Sequence, residues 1–263
     1  MSLPPIEIRD PDDPRLADYG RLKERHLNAE GGRFVAESER VVRRLVESPL
    51  TVCSVLLTPA RLATLGDALG GPFPVFVAAQ PVLDAIAGFH VHRGCLAIGE
   101  RPSPAPLPRG ARALVVLEDL TDVDNLGALA RHAAAFGVDA LVLSPRCADP
   151  FYRKAIRVSL GAVFTLPVMR AQAWPDDLAA LRADGVEIVG AVVEPGATPL
   201  ARFRAPARFA LLLGAEGPGL SSSARASCDH VVTIPMSAGA DSLNVATAGA
   251  IFLYGLLMAA ERR

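Results

Sequence analysis

The chain has 263 residues, a formal net charge of -1, 51% hydrophobic residues and 21% charged residues. That balance excludes intrinsic disorder as the main state, which requires few apolar residues and a high net charge. It also weighs against a large nonspecific nucleic-acid binder, which carries a basic excess.

The opening residues, MSLPPIEIRDPDDPR, have acids where a secretory leader has a basic region, and no apolar run follows, so a cytoplasmic protein is expected. Cys53, Cys95, Cys147 and Cys228 lie far apart, without a CxxC or a Cys/His pair at zinc spacing; reduced thiols and no metal site are expected.

In chain order, ESERVVRRLVE (37–47) predicts a helix with Val41, Val42, Leu45 and Val46 near one face. TVCSVLLT (51–58), PVFVAA (74–79) and GCLAIG (94–99) predict strands. Residues 1–100 therefore read as a small α/β domain. RPSPAPLPRG (101–110), with a proline at every second position from 102 to 108, reads as a stiff linker. Residues 111–263 form a second domain. Strands are predicted at 113–118, 138–144, 162–168, 186–193, 209–214 and 230–235, and helices at 125–136, 150–160, 175–184 and 242–261. These strands are apolar throughout, which suits a mostly parallel sheet covered on both faces. The apolar run Val245–Ala260 is short of the roughly 17–25 residues that span a bilayer, so it reads as a buried helix and no membrane association is expected.

Three loops follow strands of this sheet, where ligands of open α/β sheets bind. In LEDLTDVDNLGALAR, Asp119, Asp122 and Asp124 precede Asn125 and Gly127, and Arg131 lies about 1.7 turns past Asn125. The local reading is a helix capped by Asn125 or Asp124 with a solvated Arg131. In LLLGAEGPGLSSSA, Gly214, Glu216, Gly217 and Gly219 allow a ligand or another backbone to approach closely. The same residues also fit a tight turn into a helix capped by Ser221. In VTIPMSAGADSLNVATAGA, Ile234, Pro235 and Met236 lead to Ser242, Leu243 and Asn244, with Asp241 or Ser242 as cap of the last helix. Ala246, Ala248, Gly249 and Ala250 permit unusually close backbone packing there. A nicotinamide-dependent oxidoreductase is disfavoured, because the first turn, D-V-D-N-L-G, is acidic and unsuited to a pyrophosphate.

Together these loops resemble the SpoU (TrmH-like) family of RNA ribose 2'-O-methyltransferases, within the SPOUT superfamily. N-x-G-x-x-x-R is met by Asn125, Gly127 and Arg131; L-x-G-x-E-G-x-G by Leu212, Gly214, Glu216, Gly217 and Gly219; I-P-M with S-L-N-V by 234–236 and 242–245. DPFYRKAIRVSLGAVFTLPV (149–168) is similar to the family's segment after its second strand. RFVAESERVVRRLVES (33–48) and VHRGCLAI (91–98) resemble an L30e-like RNA substrate-binding domain.

The resemblance implies a trefoil-knotted second domain that binds S-adenosylmethionine (SAM) through Gly214, Gly217, Ile234, Met236 and Leu243. It implies a homodimer with the active site at the interface. Arg131, Asn125, Glu216, Ser242 and Asn244 would carry catalysis. Arg131 suits a phosphate clamp better than a base, since guanidinium stays protonated; Glu216 would hold Arg131 or Asn125, or take the proton. The RNA, ribosomal rather than transfer RNA, would meet Arg33, Arg40, Arg43 and Arg44 and also Arg153, Lys154 and Arg157, although each cluster also reads as a solvated helix face. The second reading is a noncatalytic RNA-binding protein that keeps the knot.

Overall fold

The structure, a computed structural model, describes residues 3–20, 32–104, 106, 108, 110–237 and 242–261. It divides into two compact units, one of residues 1–103 with 151–165 and one of 104–150 with 166–263.

In the first unit, β1 (Ile6–Ile8), α1 (Ala17–Gly20), β2 (Arg33–Glu37), α2 (Glu39–Val46), β3 (Val52–Leu57), α3 (Pro59–Leu65), β4 (Val75–Ala78), α4 (Gln80–Ala87) and β5 (Cys95–Glu100) follow one another. The sheet order is β1-β4-β3-β5-β2. β1, β4 and β3 run parallel, and β5 is antiparallel to β3 and β2. Leu56, Phe76, Leu83, Leu96 and Ile98 fill its core. Tyr19 is buried, and its hydroxyl lies 2.8 Å from Ser54 Oγ. The predicted helix at 37–47 begins later: Glu37 still pairs with Leu96 as the end of β2, and Ser38, at φ 89°, breaks the strand before α2. Helical periodicity from Val41 onward hid the strand that precedes it.

Residues 151–165 lie in sequence between two stretches of the second unit yet pack with the first. Their helix, Arg153–Val158, is followed by a 3-10 turn at Ala162–Phe164, where the sequence predicted a strand over 162–168. The reason is local. Gly161 turns the chain at φ 77°, and the Phe164 ring stacks 5.3 Å from Phe34, which also lies 5.3 Å from Phe151. Arg44 Nη1 donates to the Leu160 carbonyl at 2.8 Å.

The second unit holds β6 (Ala113–Leu117), α5 (Val123–Ala135), β7 (Ala140–Leu143), β8 (Val168–Arg170), α6 (Asp177–Ala183), β9 (Glu187–Ala191), β10 (Thr198–Pro199), β11 (Phe209–Leu213), α7 (Ser222–Ala226), β12 (His230–Thr233) and α8 (Val245–Glu261). Its sheet order is β10-β12-β9-β11-β6-β7-β8, and every pairing is parallel. All residues of β6, β7 and β11 are buried, as unbroken apolar runs require; each Leu or Val so buried contributes about 1.5–3 kcal/mol.

This topology positions the site. β6 and β11 are neighbours in register from Ala113↔Phe209 to Leu117↔Leu213, so the first two loops leave side by side from the carboxyl ends of two central strands. α8, reached through the third loop, packs on α5. A Cβ at Gly249 would lie 2.4 Å from Leu129 Cδ2 and 3.1 Å from Leu213 Cδ1, so the glycine lets α8 close on α5 and β11. Among the described residues, no helix is long and apolar enough to cross a membrane.

Candidate functional site

α5 starts from Asp122, not from Asn125 or Asp124: Asp122 Oδ1 accepts from the Asn125 backbone N–H at 2.8 Å. A cap three residues earlier leaves the Asn125 side chain available. Its Nδ2 donates to Glu216 Oε1. Asn244 Nδ2 donates to Asn125 Oδ1 at 2.9 Å and reaches Glu216 Oε1 at 3.5 Å. Asn244 Oδ1 faces the other way and accepts from the backbone N–H groups of Ala246 and Thr247 at 3.0 and 3.1 Å. Asn244 is therefore the cap of α8; Ser242 makes no such bond, and Asp241 lies outside the described residues. One amide thus ends the last helix and joins the other two loops.

The second loop folds back on itself. Ala215 and Gly219 form a bridge, with the Gly219 N–H on the Ala215 carbonyl at 3.0 Å. A Cβ on Gly214 would sit 2.2–2.4 Å from the backbone of Gly219 and Leu220, closer than any side chain tolerates. The glycine there serves backbone-on-backbone contact.

The loop is held from below by a carboxylate. Glu118, at the end of β6, is 2% exposed. Its Oε2 accepts from the Ser221 N–H at 2.8 Å, and its Oε1 accepts from Ser221 Oγ at 2.6 Å and Trp174 Nε1 at 2.8 Å. Ser221 Oγ also accepts from the Ala224 N–H at 3.1 Å, as the expected cap of α7. Asp119, next along, adopts φ 52°. It accepts from Ser144 Oγ at 2.9 Å and pairs with Arg146. The Arg146 guanidinium holds the Asp119 carboxyl below its usual value, against a smaller opposing effect of burial.

The second and third loops line a cavity of about 620 Å³. Gly214, Gly217, Ile234, Met236 and Leu243 line it, and so do Glu216, Ser242 and Asn244. Asn125 adjoins it through its bonds to Glu216 and Asn244. Arg131 is exposed on α5, outside the lining, and among the described residues it has no hydrogen-bond or ion-pair partner. Sequence reading missed one wall, the Ala191–Glu194 segment after β9. There Arg225 grips the Glu194 carboxylate at 3.0–3.2 Å and keeps its pKa low. Nothing in the spacing of VVEPG signals this role. Among the described residues no group of three His, Cys, Asp or Glu could hold a metal ion.

The candidate RNA-contacting cations differ in their surroundings. Arg33 pairs with Asp18. Arg43 holds Asp67 at 3.0 Å and the Thr64 carbonyl at 2.8 Å, and Arg44 is turned to Leu160. Arg153 lies 3.5 Å from Glu37 and over the Phe89 ring. Arg40, Lys154 and Arg157 are exposed.

Comparison with known proteins gives this arrangement a family. The family model described as SpoU rRNA Methylase family matches residues 112–254. An uncharacterized tRNA/rRNA methyltransferase of Mycobacterium bovis is 42% identical over 94% of this chain and 90% of its own length. The 23S rRNA (guanosine(2553)-2'-O)-methyltransferase RlmP of Bacillus subtilis is 27% identical over 95% of this chain and 98% of its own. The fold is similar to that of the SpoU methyltransferase AviRb of Streptomyces viridochromogenes, solved in complex with AdoMet, with a TM-score of 0.78 and 26% identity over 95% and 98% of the two chains. The cavity and its asparagine–glutamate junction thus lie within the matched region, and the chain belongs to the SpoU rRNA methylase family of RNA methyltransferases.

Proposed function

We propose that the chain transfers a methyl group from SAM to a ribose 2'-hydroxyl of RNA, ribosomal rather than transfer RNA. The observation that carries this reading is the junction of Asn125, Glu216 and Asn244 on the rim of the 620 Å³ cavity. The cradle fits the cofactor: a loop without side chains at Gly214 and Gly217 beside the apolar Ile234, Met236 and Leu243. When bound, SAM supplies an electrophilic methyl whose sulfonium leaves as a neutral thioether, so no leaving-group acid is required.

The protein's work is to align the hydroxyl and accept its proton. Alignment of two reactants contributes a large part of such an acceleration, and base catalysis about 10²–10⁴-fold. Glu216 Oε1 is engaged by the two asparagine amides, and its second oxygen makes no bond in this network. In our reading that oxygen takes the proton, while Asn125, Ser242 and Asn244 orient the sugar. Arg131 would clamp the neighbouring phosphate with its planar fork.

We further infer a homodimer that completes the site. α8 exposes Ile251 and Tyr254, 39% and 55% accessible, and α5, packed against it, exposes Arg131, Ala134 and Ala135. An apolar stripe beside an unpartnered arginine fits a surface that meets a second copy. A deep trefoil knot in the second unit and an L30e-like fold for the first belong to the same reading. The close packing of α8 on α5 and β11 at Gly249 supports the knot.

The test is transfer of labelled methyl from SAM to bacterial ribosomal RNA, followed by alkaline hydrolysis. A 2'-O-methyl group blocks cleavage and leaves labelled dinucleotides. Label recovered on mononucleotides would overturn the ribose assignment. RNA binding without transfer would favour a noncatalytic RNA-binding protein.

A further inference from the structure

We propose that Glu194 is a specificity-determining residue for the cofactor: its carboxylate holds the ribose diol of SAM, and Arg225 is the positioning residue behind it. The inference rests on the reading of the cavity as the SAM site and gives a role to the wall that no sequence motif marked. Among the described residues of the lining, the two that ionise, Glu194 and Glu216, are both acids. Their surroundings differ. Glu216 is engaged by the amides of Asn125 and Asn244. Glu194, on the segment after β9, is gripped by an arginine. Arg225 Nε donates to Oε1 at 3.1 Å and to Oε2 at 3.2 Å, and Nη2 donates to Oε2 at 3.0 Å.

Arg225 reaches this wall from α7, outside the lining. Its backbone N–H donates to the Ser221 carbonyl at 2.8 Å, and Ser221 is the residue that Glu118 holds. One path of bonds therefore runs from Glu118, beneath the glycine-rich loop, through Ser221 and Arg225 to Glu194. By bonding the ionised form, Arg225 also keeps the Glu194 carboxyl below its usual value, so the group acts as an acceptor only. The Glu194 side chain is 43% exposed in the free chain. Its two oxygens offer about four lone-pair sites, which leaves capacity for a ligand beyond the Arg225 fork.

SAM carries three kinds of hydrogen-bond donor: the purine amine, the ribose diol and the methionyl ammonium. The diol matches this carboxylate best. Two adjacent hydroxyls meet two oxygens of one acid, and acidic side chains hold the ribose hydroxyl of dinucleotide cofactors in the same manner. The neighbouring residues agree. Val192 and Val193, directly before Glu194, line the same wall. Val193 and Leu243 are large apolar side chains left bare in this cavity, 62% and 38% exposed. Apolar walls of this kind fit a purine, and the sugar bonded to that purine then meets the next residue along, Glu194. The methyl and the ammonium belong with Glu216 at the asparagine junction.

The experiment is calorimetry of the full chain with S-adenosylhomocysteine, its 2'-deoxy analogue and 5'-methylthioadenosine, none of which turns over. Circular dichroism checks that each variant is folded. Wild type is expected to bind the deoxy analogue about tenfold more weakly than S-adenosylhomocysteine, because the carboxylate then lacks a partner. Glu194→Ala is expected to lose about tenfold for S-adenosylhomocysteine and to discriminate little between the two, so that the combined loss stays near tenfold rather than a hundredfold. It is expected to lose as much for 5'-methylthioadenosine, which keeps the diol and lacks the ammonium. Arg225→Ala is expected to narrow the discrimination and Arg225→Lys to restore part of it. Glu187→Gln, at the far end of β9, is expected to leave it unchanged. Fully additive losses, or a Glu194→Ala loss seen with S-adenosylhomocysteine and absent with 5'-methylthioadenosine, overturn the diol contact and leave the proposed reaction standing. Full discrimination in Arg225→Ala overturns its positioning role. A wild-type chain that binds none of the three overturns both this inference and the reading of the cavity as the SAM site.

Discussion

Replacing Glu118 by Gln isolates the strut beneath the glycine-rich loop. The carboxylate accepts three hydrogen bonds, from Trp174 Nε1, Ser221 Oγ and the Ser221 N–H. Glutamine keeps the shape but has one carbonyl oxygen. With that oxygen at the Oε1 place, its NH2 confronts the Ser221 N–H; flipped, it confronts Trp174 Nε1–H. Either way one donor loses its partner, at about 1–3 kcal/mol for a buried group. Water reaches the exposed Ser221 and part-exposed Trp174, so the lower end, about 1.4 kcal/mol, is the working figure. If that cost falls on the loop conformation that lines the cavity, SAM affinity drops about tenfold. The chain contains a single tryptophan, and it is the one bonded to Glu118. Its fluorescence therefore reports the strut directly: SAM titration should change the wild-type emission, and Glu118→Gln should shift the emission before SAM is added. Calorimetry supplies the affinity independently. A variant with altered emission but wild-type SAM affinity and kcat would refute the argument that this carboxylate positions the loop.

Two further substitutions follow from the geometry. Gly214→Ala forces a methyl to within 2.4 Å of the Gly219–Leu220 backbone; overpacking costs about 1–3 kcal/mol, so a lower melting temperature and lost SAM binding are expected, and a wild-type melt with intact binding would contradict the close-approach argument. Asp119, whose carboxyl Arg146 keeps below its usual value of 3.8, stabilises the fold above that pH and loses the effect as acid protonates it. Arg146→Ala should therefore lower stability slightly at neutral pH, the loss being small because Arg146 is largely exposed and screened, and the difference from wild type should vanish as acid protonates Asp119; denaturant unfolding followed by circular dichroism across pH checks this, and a loss that persists unchanged in acid would refute the pairing.

Much of the second unit is readable from its residues. Strands such as ALVVL and FALLL have no polar face, so a parallel sheet buried on both sides follows, and three polar, glycine-bearing loops after strands mark the carboxyl ends of those strands. Asn125, Glu216 and Asn244, far apart in sequence, meet there as the motifs lead one to expect. Capping was less legible: Asp122, Asp124, Asn125, Ser242 and Asn244 are all good cap residues, and the spacing does not say which of them caps; the structure uses Asp122, on the Asn125 N–H, and Asn244, on the Ala246 and Thr247 N–H groups. Glu118 and Trp174 carry no local signal at all, since a buried acid is defined by its partners. AVFTLPV reads as a strand by composition, yet Gly161 and the stacking of Phe164 on Phe34 impose a turn.

That stretch, 151–165, has a consequence for anyone who wishes to dissect the protein. The polypeptide leaves the methyltransferase half after Pro150, contributes Phe151 and Phe164 to the aromatic cluster of the N-terminal half, and returns at Leu166. No single scission separates the halves cleanly. A fragment cut at the proline-rich linker would carry two orphaned phenylalanines into water, and the severed N-terminal piece would lack the cover of Phe34. The two halves are interleaved by covalent connectivity, so swapping one for a homologous module requires exchanging that fifteen-residue excursion along with it.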